Sequence, residues 1–126
     1  GETIGTATPD RVQKVWQACL AELDSKVLAG HFHNTYGMAI ANIYQSLQQG
    51  IRVFDSSLAG LGGCPYAKGA SGNVSTEDLF YLLSHMGFET GINLEKLMQA
   101  SQNISNVLNR KSLSNYANAY WQTKCA

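Results

Sequence analysis

The sequence predicts an α/β protein with parallel strands, and three observations carry that expectation. Two short apolar runs, 27–33 and 51–57, flank a stretch with helical spacing, which makes a β-α-β unit within about thirty residues. Both runs end in polar residues able to do chemistry, and parallel sheets bind ligands at the carboxyl ends of their strands. The last third of the chain has helical periodicity throughout, with no further strand pattern.

In chain order, Thr8-Pro9-Asp10 is a helix start. Thr8 stands as N-cap, Pro9 at the first helical position and Asp10 on the positive end of the dipole. Val12, Val15, Trp16, Cys19, Leu20 and Leu23 continue it as one apolar face. On that face Cys19 reads as a small buried hydrophobe and Trp16 as a packing residue. The first strand, 27–33, is apolar until His31 and His33 and ends near Asn34. A helix over 36–49 follows, with Tyr36 packed and Gly50 as C-cap residue. The strand 51–57 then runs into a loop, 58–72, whose Gly60, Gly62, Gly63, Gly69 and Gly72 imply tight turns or close approach to a ligand. Beyond it, Ser75 or Thr76 starts a helix ending at Gly87, with Glu77 and Asp78 satisfying amides of its first turn. Asn93 caps a helix over 94–108, and 112–122 is a weaker third.

At 126 residues, 44% of them hydrophobic, the chain is the size of one modest domain able to build a core. Nine basic side chains balance nine acidic ones, without blocks of like charge, so neither nucleic acid nor an anionic membrane is indicated as a partner. No apolar run approaches the roughly 20 residues of a membrane helix, and residues 1–9 lack the regions of a signal peptide. The three cysteines, Cys19, Cys64 and Cys125, fit neither a disulfide framework nor a CxxC zinc site. Reduced thiols in a bacterial cytoplasm or a mitochondrial matrix are the expectation. The chain opens on Gly1-Glu2-Thr3-Ile4-Gly5 without an initiator Met, which reads as a strand end running into a loop and not as a natural start.

The residues with chemistry cluster at the strand ends. His31 and His33, two apart on a strand, leave the same face and can reach one ion together. With Asn73 adding a side-chain oxygen and no thiolate cluster present, the donors favour an octahedral Mg²⁺ or Mn²⁺ over structural zinc. Cys64, between Gly63 and Pro65, is open to two readings, a working thiol or an ordinary loop residue. Asp55 is expected to cap the loop. Lys68 either meets an anionic substrate or is simply solvated, and His85 reads as a surface residue near a helix C-terminus. The glycines match neither GxGxxG nor the GK[ST] phosphate loop.

The segment GGCPYAKGASGN, preceded by DSSLAGLG and followed by VSTEDL, closely resembles the active-site loop of the 3-hydroxy-3-methylglutaryl-CoA lyase family. HFHNTYGMAIANIYQSLQQGI resembles that family's metal-binding strand and following helix, and GETIGTATP and INLEKLMQASQNISNVLNRK match as well. The resemblance implies a (β/α)8 TIM barrel, of which this chain is the C-terminal part: the end of strand six, strands seven and eight with their helices, and the terminal helices. It implies a divalent cation, Mg²⁺ or Mn²⁺, held by His31, His33 and Asn73. The resemblance further implies that Cys64 is the catalytic loop thiol, with His31 and Glu2 also at the chemistry, and that the substrate is a CoA thioester cleaved to acetyl-CoA and acetoacetate, a step of leucine breakdown and ketone-body formation.

Two positions depart from the pattern. Glu2 stands where the family has Asp in GDTIG, and Asn34 where lyases have Asp after the second histidine. The family's fourth metal ligand, an Asp beside a catalytic Arg on the first strand, is not in this chain. A sister aldolase or an acetyl-CoA-dependent synthase is therefore the first rival reading. The second is a catalytically inactive piece that only associates with itself through an open sheet edge. A homo-oligomer is expected in either case.

Overall fold

The computed structural model of the chain describes residues 3–63 and 72–124. These form two compact units, one from residues 3–55 with 62, 63, 72 and 73, the other from 56–61 and 74–124.

Unit one contains the β-α-β motif. Helix α1, Pro9–Leu20, starts after an extended Thr8 with proline in its first turn, as expected. The Thr8 hydroxyl, however, bonds to the Asp10 carboxylate and makes no cap bond to a helix amide. That bond holds the Asp10 carboxyl below the usual carboxylate range. The buried stripe of α1 is narrower than its periodicity suggests: Val12 and Trp16 are buried, while Val15 and Leu23 are exposed and Cys19 is a half-buried free thiol. Leu23 is lost to the stripe because α1 ends at Leu20 and the chain turns there, with the amides of Glu22 and Leu23 both donating to the Cys19 carbonyl.

Helix α2, Ala39–Gln48, packs Ala39, Ile43 and Leu47 into the same core as Trp16 and Phe32. The Trp16 indole donates to Ser46 Oγ at 2.7 Å, and Ser46 Oγ donates to the Asn42 carbonyl at 2.7 Å, so the polar atoms at this helix contact are paired. The helix starts at Ala39 and not at 36, because Gly37 N closes a turn on the Asn34 carbonyl and the Asn34 side-chain oxygen accepts from Ala39 N. Tyr36 is consequently exposed, not packed. The α2 C-terminus behaves as expected: Gly50 takes φ +86 and Ile51 N returns to the Ser46 carbonyl, a Schellman closure that buries Ile51 completely.

Strands β1, Ala29–His31, and β2, Val53–Asp55, pair in parallel with the register Ala29↔Val53, Gly30↔Phe54 and His31↔Asp55. Both are shorter than their apolar runs. Residues Ser25–Val27 form a 3-10 turn in which the Lys26 amide donates to the Asp24 carboxylate, and at the other end Ser57 pairs with Ser75. At Gly30 a Cβ would stand 2.8 Å from the rings of both Phe32 and Phe54, so only glycine lets these rings close over the strand.

Unit two is helical. Ser57 bridges Ser75, and Leu58–Gly60 form a 3-10 turn. Helix α3, Thr76–His85, is capped by Ser75, whose Oγ accepts from Asp78 N. Helix α4, Leu94–Val107, is capped by Asn93, and α5 spans Asn115–Lys124. Val74, Leu79, Met98 and Ala117 form the core. His85 is exposed near the end of α3, with Nδ1 donating to the Tyr81 carbonyl, as its position predicts.

The acidic pair of α3 goes beyond its expected task. Glu77 is fully buried, and its carboxylate accepts from Ala59 N at 2.9 and 3.1 Å, holding Ala59 at φ +55. Asp78 reaches the start of α5, accepting from Ser114 Oγ and Tyr116 N at 2.8 Å each, so α5 begins at 115 and not 112. Replacing Glu77 by Ala leaves a buried N–H unpaired, and denaturant unfolding should show a loss of about 1–3 kcal/mol. Glu77→Gln, which keeps one acceptor, should lose less.

Candidate metal centre

The expected site residues fall into two groups. His31, His33 and Asn73 are described and all belong to unit one; Glu2, Cys64, Lys68 and Cys125 lie outside the described residues.

His31 closes β1 and His33 follows it past a buried Phe32, so the strand's alternation sends both imidazoles to one side. Their ring centroids are 5.3 Å apart with the planes at 69°, close enough for both rings to serve one ion. His33 is buried, whereas the His31 side chain is 41% exposed and open to a small molecule.

Asn73 is brought in by the backbone. Residues 33 and 73 form an antiparallel bridge, and Asn34 N donates to the Gly72 carbonyl at 3.1 Å. The segment 72–73 is thus stitched to the end of the strand that carries the histidines. Gly62 lies against the result: its φ is +91, and an added Cβ would stand 2.8 Å from Asn73 Nδ2. Asn34, with its side chain committed to the start of α2, is a turn residue and not a donor to the site.

Among the described residues the partner of Asp55 is His31. It sits opposite His31 in the sheet register, and its Oδ2 is 3.4 Å from His31 Nδ1. Sequence reading missed this pair although the signal was present, since two parallel strands of equal length that both end in polar residues bring those residues side by side.

The donor set of two imidazoles and one carboxamide suits a divalent cation that keeps further positions for substrate or water. Among the described residues no group of three or more His, Cys, Asp or Glu side chains forms a closed metal cage. Also among the described residues, no helix is long and apolar enough to cross a membrane.

Two parallel strands with imidazole, carboxylate and carboxamide groups gathered at their carboxyl ends define an α/β protein with its candidate site on the strand-end face. The HMGL-like family model matches residues 1–104, and the chain belongs to that family. It is 55% identical over 105 residues to the hydroxymethylglutaryl-CoA lyase of Pseudomonas mevalonii, which covers 83% of this chain and 35% of that protein. The crystal structure of hydroxymethylglutaryl-CoA lyase from Pseudomonas aeruginosa superposes with a TM-score of 0.93 at 50% identity, over 98% of this chain and 41% of that one. A lyase structure from Acinetobacter baumannii, in complex with coenzyme A and 3-methylmalate, matches with a TM-score of 0.88 at 39% identity, over 93% of this chain and 38% of that one. The chain therefore spans about two-fifths or less of the relatives it matches, and its α/β fold is that of part of a TIM barrel.

The packing of Gly62 on Asn73 gives a direct test. Gly62→Ala places a Cβ in a left-handed position against the carboxamide and should cost about 1–2 kcal/mol in denaturant unfolding. It should also weaken Mn²⁺ binding through displacement of Asn73.

Proposed function

We propose that the whole protein to which this chain belongs is a divalent-metal-dependent carbon–carbon lyase. It would cleave 3-hydroxy-3-methylglutaryl-CoA to acetyl-CoA and acetoacetate in a bacterial cytoplasm or a mitochondrial matrix. The observation that carries the reading is the pair of imidazoles at the end of β1, with Asn73 joined to the same strand end, in a chain of the HMGL-like family.

His31, His33 and Asn73 would hold the cation, Mg²⁺ or Mn²⁺, which when bound supplies Lewis-acid polarisation of the tertiary hydroxyl. His31, the more exposed imidazole, would stand beside the substrate hydroxyl and orient it on the cation, the hydroxyl proton passing to a base as the C–C bond breaks. The electron pair of that bond passes to the acetyl-CoA fragment as an enolate, and the hydroxyl carbon becomes the ketone of acetoacetate. Cys64, with the catalytic-thiol assignment that the GGCPYA loop suggests, would donate the proton that quenches the enolate. Glu2, with its strand-end sequence, would join it at the reacting atoms.

The exposed apolar side chains of unit one, Val15, Val27 and Val53, support burial of that face against further protein, either the remainder of the barrel or a second copy.

The deciding assay uses the purified whole protein with 3-hydroxy-3-methylglutaryl-CoA and Mg²⁺ or Mn²⁺, following acetoacetate release. Cation-dependent, chelator-sensitive release supports the lyase. Condensation of acetyl-CoA with a keto acid, without cleavage, would assign a synthase instead. Cys64→Ser should lower kcat by about 10²–10⁴-fold with Mn²⁺ binding retained; near-normal turnover would remove the thiol from the mechanism.

A further inference from the structure

We propose that Asp55 is a positioning residue for the metal centre, holding the His31 ring with its proton on Nδ1 so that Nε2 is left as the donor atom. The inference rests on the metal-site reading above and concerns a residue that the sequence pattern alone would assign to the loop.

Three features of unit one support it. The sheet register pairs His31 with Asp55 directly, so the two Cα positions are tied by the backbone ladder and not by chance side-chain approach. The contact is made by one particular nitrogen: Oδ2 of Asp55 lies 3.4 Å from Nδ1 of His31. The His31 ring also meets the His33 ring in an edge arrangement, with centroids 5.3 Å apart, so His31 contacts both a carboxylate and the second proposed ligand.

A neutral imidazole has one N–H and one lone pair, and the group facing each nitrogen decides which is which. A carboxylate can only accept, so a hydrogen bond across this 3.4 Å contact would put the proton on Nδ1 and leave the lone pair on Nε2. In metal sites this relay fixes the ring orientation and raises the donor's basicity, and removing the outer partner typically costs about 10–100-fold in affinity. Asp55 is 66% exposed at its side chain, so its replacement should leave the fold standing.

The test compares Asp55→Ala, Asp55→Asn and wild type in the whole protein, with two readouts. The first is the ¹⁵N chemical shifts of ring-labelled His31 in chelator-treated, metal-free protein. The second is Mn²⁺ affinity by titration calorimetry. Wild type should show the Nδ1–H form. Asp55→Ala should move His31 toward the Nε2–H form and weaken Mn²⁺ binding about 10–100-fold. Asp55→Asn, whose amide oxygen can still accept, should retain the Nδ1–H form and recover most of the affinity. An unchanged His31 tautomer in Asp55→Ala overturns the proposal, as does unchanged Mn²⁺ affinity. Weakened binding with an unchanged tautomer would also overturn it, because Asp55 would then act only through its charge. Failure of the metal-site reading itself is distinguishable: His33→Ala would bind Mn²⁺ as wild type does, while the ring spectra would still report on the Asp55 contact.

Discussion

The parallel pairing of β1 with β2 is the constraint on which the candidate centre depends. Its register puts His31 opposite Asp55 and Gly30 opposite Phe54, so the side chains at the strand end and the packing beneath them are set together. A slip of one residue would turn His31 to the other face and drive a side chain into the Phe54 ring, where Gly30 leaves no room for a Cβ. The ladder is short, and its anchoring comes from its flanks. The Asp24-capped turn precedes β1, and the Schellman closure at Gly50 with buried Ile51 leads into β2. Local turn chemistry thereby defines where the strands begin, and the side chains at their ends inherit that precision.

Backbone pairing also explains how a residue distant in sequence joins the histidines. Asn73 arrives through the bridge to His33, aided by the Asn34–Gly72 bond, and Gly62 permits close approach to its carboxamide. Main-chain bonds of this kind hold the carboxamide beside the imidazoles, and such pre-ordering lowers the cost of binding at a site. In unit two, side chains of one helix serve the backbone of other segments. Glu77 satisfies the amide of left-handed Ala59, and Asp78 receives the start of α5. A buried carboxylate is tolerable there because it is hydrogen-bonded to the group it stabilises.

Membership of the HMGL-like family and close superposition on lyase structures give these features their context. The chain carries the histidines, the carboxamide and the thiol-bearing loop sequence, and it spans 41% of the Pseudomonas aeruginosa lyase chain. Chemistry proposed for the whole protein draws on groups distributed over a barrel, so the contribution of this stretch is best stated in terms of the donors it holds and how it orients them.

By itself the sequence determined the helices, the β-α-β order, the two histidines on one side of a strand and the family resemblance of the cysteine loop. Each of these is written in local spacing, in capping residues such as Ser75 and Asn93, or in a contiguous motif. Only tertiary structure decided that Asp55 faces His31, that Glu77 leaves its own helix to satisfy Ala59, and that Tyr36 and Val15 lie outside the core. Those outcomes depend on which segments pair and where the turns between them close, and a side chain's partner across a sheet or a helix contact leaves no periodic trace in the chain that carries it.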